Sequence, residues 1–91
     1  MGRISWSEPA LDDVRQIVEY VARDSRRYAV RLAERLLDAP RSLAENPLSG
    51  GIVAEFNRKN LREILVRPYR IIYLVRSEEC FVITVIHGSR T

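Results

Sequence analysis

From Leu61 to His87 the apolar residues of this chain recur with a period of two, and that stretch constrains the fold more than any other. Three runs alternate: Leu61–Val66, Tyr69–Arg76 and Cys80–His87. Alternation of this kind marks a half-buried strand. The connections are Arg67-Pro68 and Ser77-Glu78-Glu79. Loops so short join antiparallel neighbours, because a parallel crossover needs a dozen residues or more. The last third of the chain is therefore predicted to be an antiparallel meander.

The first half has a different period. Arg3-Ile4-Ser5-Trp6 reads as a short strand, and Ser7 as the cap of a helix over roughly 8–23. Pro9 sits in the first turn, and Glu8, Asp12 and Asp13 lie near the positive end of the helix dipole. Leu11, Val14, Ile17, Val18 and Val21 form one apolar stripe at helical spacing. Asp24 or Ser25 can cap a second helix, whose stripe is Ala29, Leu32, Ala33, Leu36, Leu37, Leu43 and Ala44. Pro40 interrupts it, so a kink or an end and restart is expected there, with helical character reaching about Glu45. A short connection between two amphipathic helices makes an antiparallel hairpin. Asn46-Pro47-Leu48-Ser49-Gly50-Gly51 is loop chemistry, and the weakly patterned stretch to Asn60 is expected to be mobile. The predicted fold is thus α+β, in the order βααβββ, with a helical hairpin on one face of a small, mainly antiparallel sheet. Residues 1–91 form one domain.

One hairpin cannot cover both faces of a sheet. Ile71, Tyr73 and Val75 fall on one side of their strand, and Arg70, Ile72, Leu74 and Arg76 on the other. Both sides are apolar at the centre, whereas a sheet with one wet face should alternate cleanly. The side away from the helices is therefore expected to bind a partner, unless a loop of the same chain covers it. Tyr73 is placed on the helix side.

Composition narrows the function. The chain is 46% hydrophobic and 30% charged, as a globular domain should be. Its apolar runs are too short to span a membrane, and acidic residues early in the chain exclude a signal peptide, so the cytoplasm is expected. The one cysteine, Cys80, reads as a buried structural thiol. Residues 1–57 hold eight Arg against nine Asp and Glu, while residues 58–91 hold six Arg and Lys59 against three Glu. Positive charge is concentrated in the meander, nearly all of it Arg, whose planar fork suits phosphate and carboxylate.

No Cys/His cluster offers a zinc site, no phosphate-binding glycine motif occurs, and no cofactor is expected. What remains is a polar set on or near the meander: Glu55, Arg62, Glu63, Arg67, Arg70, His87 and Arg90. Such a set can supply cations for a phosphodiester and an acid/base pair without metal. Each member also has a structural reading: Arg62 and Glu63 in cross-strand ion pairs, His87 at a strand end, Glu55 as a solvated loop carboxylate.

The segments Leu61-Arg62-Glu63-Ile64, Pro68-Tyr69-Arg70-Ile71-Ile72-Tyr73 and Val85-Ile86-His87-Gly88-Ser89-Arg90 resemble the RelE/ParE toxin superfamily. Trp6-Ser7, Ala10, Asp13, Ile17, Tyr20, the loop Asn46-Pro47-Leu48-Ser49-Gly50 and Glu55 agree, so the resemblance covers nearly the whole chain. It rests on the order and spacing of these pieces, not on any one of them. It implies a growth-inhibiting toxin of a plasmid-stabilising type, neutralised by a cognate antitoxin that wraps it with a helix or extended segment. Arg62, Arg67, Arg70, Ile72, Leu74 and Arg90 are the expected antitoxin- or target-binding residues.

The superfamily divides in mechanism. ParE-like members poison DNA gyrase. RelE-like members cut mRNA on the ribosome, and that reading would make Arg70 and Arg90 phosphate contacts and Glu55 or His87 the base. No tyrosine follows Tyr73, and Lys59 is the only lysine, unlike the ribonuclease branch. These departures favour the ParE side. A relic that binds antitoxin without toxicity, and a homodimer, stay open.

Overall fold

A computed structural model describes residues 2–88. Strand β1 (Arg3–Trp6) leads through Ser7 into helix α1 (Glu8–Ala22). Ser7 is extended, and its hydroxyl accepts a hydrogen bond from the Ala10 amide at 3.0 Å. Pro9 stands in the first turn, where a missing N–H has no partner to lose. Ser25 caps α2 (Arg26–Asp38) in the same way, accepting from the Tyr28 amide at 3.1 Å. Pro40 does end the α-helix. The backbone tightens into a 3-10 helix over Ala39–Ala44, with Pro40 buried within it.

Strands β2 (Gly51–Ile52), β3 (Leu61–Val66), β4 (Tyr69–Arg76) and β5 (Glu79–His87) complete a five-stranded sheet in the order β1-β5-β4-β3-β2. The meander β3-β4-β5 is antiparallel throughout, as predicted, with a cis Arg67–Pro68 bond in its first turn. β1 pairs parallel with β5, from Arg3 opposite Glu79 to Trp6 opposite Val82. The last strand therefore lies inside the sheet, between the first strand and β4. Ile72 faces Thr84 and Tyr73 faces Val82, which leaves Ile83 as the extra residue of a bulge. Asp13 of α1 supports this irregularity: its Oδ2 accepts from the Val85 amide at 3.0 Å and from the Thr84 hydroxyl at 2.7 Å.

The main core lies between the hairpin and one face of the sheet. Ala10, Val14, Leu32, Leu36 and Leu43 pack against Val66, Ile71, Tyr73, Cys80, Val82 and Val85. Tyr73 is on the helix side, as its register requires. Its buried hydroxyl donates to the Pro47 carbonyl at 2.8 Å and accepts from the Gly50 amide at 3.1 Å. A Cβ on Gly50 would stand 2.5 Å from that oxygen, so the close approach requires glycine here. Burial pushes the Cys80 thiol up from its ordinary range, consistent with an inert structural role.

Two expectations need correction. Leu11 and Leu37 are exposed, because the buried stripe of each helix is narrower than the apolar pattern suggested. The stretch before Asn60 folds back onto the sheet. Val53, 1% exposed, seals Leu61 and Ile72 on the far side of the sheet, with Leu74, Ile83 and Ile86 packed around them. The chain's own loop thus covers part of the face expected to be open.

Candidate functional site

The polar residues of the meander gather where that covering loop meets β3 and β4. Arg70 faces Leu65 of β3 and Ile86 of β5, on the side away from the helices. Glu63 stands two residues from Leu65 on the same face. Glu55 arrives from the turn after β2. In that turn the Val53 carbonyl accepts from the amides of Phe56 at 3.1 Å and Asn57 at 2.9 Å. Asn57 closes it with φ 49°, in the left-handed region that asparagine tolerates.

These three side chains form one ionic cluster. Arg70 donates from Nε to Glu63 Oε1 at 2.6 Å, and from Nη1 and Nη2 to the two oxygens of Glu55, each at 3.0 Å. The pair with Glu55 is bidentate, the strongest geometry available to a guanidinium and a carboxylate. Arg70 is only 8% exposed. Its bonds to Glu55 and then Glu63 raise its affinity for its proton, and the bond from Arg70 holds the Glu55 carboxyl below its ordinary range.

The cluster forms one wall of a groove of about 610 Å³, lined also by Ala54, Leu65, Arg67, Tyr69 and His87. His87 lies opposite Tyr69 across β4 and β5, and the two rings meet edge to face with centroids 5.8 Å apart. Arg67 is exposed on the turn.

The structure therefore brings together five of the residues singled out above, Glu55, Glu63, Arg67, Arg70 and His87, and separates others. Arg62 points to the helix side. There it clamps loop backbone, donating to the carbonyls of Lys59 at 2.8 Å, Gly50 at 3.1 Å and Leu48 at 3.4 Å. Ile72 was expected to face a partner but is buried beneath Val53, and Leu74 is half-buried beside it. Arg90 and Ser89 lie outside the described residues. The expected cross-strand ion pair holds for Glu63, through Arg70, and not for Arg62. Glu63 was not singled out as Arg70's partner, although the Arg67-Pro68 turn fixes the register that puts both on one face. The support that Asp13 gives to β5 had no sequence signal, because it depends on where the bulge falls.

Chemically, the cluster gathers two carboxylates around one cation. A phosphate at Arg70 would compete with both carboxylates for the same guanidinium.

Residues 4–91 match the family described as ParE toxin of type II toxin-antitoxin system, parDE. The chain belongs to this family. A relative from Caulobacter vibrioides, Toxin RelE2, is 34% identical over 91 residues, covering 99% of each chain. Among solved structures, the toxin superposes on a chain of the chromosomal ParDE system of P. aeruginosa with TM-score 0.78, 18% identity and 96% of each chain covered. It is also similar to the conserved protein HP0894 of Helicobacter pylori, with TM-score 0.62 and 18% identity over 99% and 98% of the two chains. The two helices on a mixed sheet are thus the fold of the RelE/ParE superfamily, and the chain is a type II toxin.

Proposed function

We propose that this toxin is neutralised by a cognate antitoxin and, when freed, acts by binding and inhibiting DNA gyrase without a catalytic centre of its own. The observation that carries the proposal is the state of Arg70. The guanidinium that would hold a scissile phosphate is bound by Glu55 and Glu63 in a shielded site. Glu55, the candidate base, is a poorer proton acceptor for being held below its ordinary range. Freeing Arg70 means breaking its pairs with both carboxylates, which leaves a buried guanidinium uncompensated.

A ribonuclease reading draws support from one fact: His87, Arg70 and Glu55 line a single groove. Two assays separate the readings. Purified toxin added to gyrase should inhibit DNA supercoiling, while mRNA on translating ribosomes stays intact. Ribosome-dependent mRNA cleavage with supercoiling unaffected would overturn the gyrase reading.

A further inference from the structure

The most exposed aromatic ring outside the helices belongs to Phe56, at 62%. A large apolar side chain in water gains nothing for the monomer. The surrounding backbone is nevertheless braced on both sides of it. Val53 is anchored in the second core, Glu55 is clamped by Arg70, and the Val53 carbonyl accepts the Phe56 amide. The left-handed turn at Asn57 then sends the chain back toward β3. A bidentate ion pair to the buried Arg70 thus holds a ring outward, with the backbone that carries it tied on both sides.

Its surroundings indicate what it fits. Arg58 and Lys59 follow after Asn57 and are exposed. An aromatic knob with a cationic flank complements an apolar pocket rimmed by carboxylates. A single helix or extended strand has no concavity to take a ring, so the partner is a folded protein. Nucleic acid fits less well: two cations make no track for a phosphate backbone, and Glu55 and Glu63 line the adjacent groove.

We infer that the braced turn at residues 53–57 presents Phe56 as the anchor by which the toxin engages an acidic pocket on the protein it poisons, with Arg58 and Lys59 steering the approach. For gyrase as that protein, this rests on the function proposed above. The test uses the full chain with its antitoxin, released in cells by antitoxin depletion and assayed with purified gyrase. Phe56→Ala should abolish growth arrest and weaken gyrase inhibition at least about tenfold, and Phe56→Trp should keep most of both. R58E/K59E should weaken inhibition and flatten its salt dependence. Thermal stability of each variant's antitoxin complex should match the wild type. Full arrest and inhibition by Phe56→Ala would overturn the inference while leaving the gyrase reading intact. Arrest that depends on Phe56 but comes with mRNA cleavage and no gyrase inhibition would overturn that reading and keep the surface. Phe56-dependent binding of the toxin to a mixed-sequence labelled oligonucleotide, with no effect on gyrase, would assign the ring to base stacking and overturn the inference. Loss of antitoxin binding by Phe56→Ala would do the same, by assigning the ring to the antitoxin.

Discussion

At the scale of single residues, Arg70 is the pivot. It ties β4 to β3 through Glu63 and to the covering loop through Glu55. Arg70→Ala would leave two carboxylates facing each other without a cation. Tm should fall by about 10 °C or more in thermal unfolding, and an unchanged Tm would show the cluster to be dispensable. Glu55 adds a pH dependence. Its carboxyl is held down in the folded state, so the folded protein binds that proton more weakly than the unfolded chain. The resulting stabilisation is in place above the unfolded value of about 4.3, and is lost as pH falls through the folded one. Denaturant titrations at acid pH should show a stability loss in the wild type that is smaller in Glu55→Gln; superimposable acid limbs would contradict this. The register of this cluster was legible in the sequence, since a two-residue turn at Arg67-Pro68 puts Glu63 and Arg70 on one face. The arrival of Glu55 was not, because no periodicity marks a loop that folds back by burying one valine.

At the scale of elements, sequence pattern identified what local chemistry decides. The Ser7 and Ser25 caps, the break at Pro40 and the three long strands stand where hydrogen-bonding need and alternation put them. It was blind to β2, whose two residues carry no periodic signal, and to the partner of β1, a choice made by tertiary packing. The bulge in β5 is another tertiary feature, and Asp13 is its support. Asp13→Ala removes the acceptor of the Val85 amide and of the Thr84 hydroxyl. It should destabilise the fold by about 2–3 kcal/mol in chemical denaturation, with Asp13→Asn recovering part of the loss. A change under half that size would mean that water replaces the carboxylate without penalty.

At the scale of the whole molecule, order along the chain and order across the sheet disagree. The final strand is flanked by the first strand on one side and β4 on the other. It also supplies Cys80, Val82 and Val85 to the main core. Ending the chain at Arg76 would remove that strand, strand the parallel partner of β1 and open the core. Such a fragment should lack the dispersed amide spectrum and cooperative melt of the full chain; a folded fragment would contradict the topology. Translation delivers this strand after every other element of the sheet. A nascent copy therefore cannot close its core until β5 has cleared the ribosome, however early its helices and first strands have emerged.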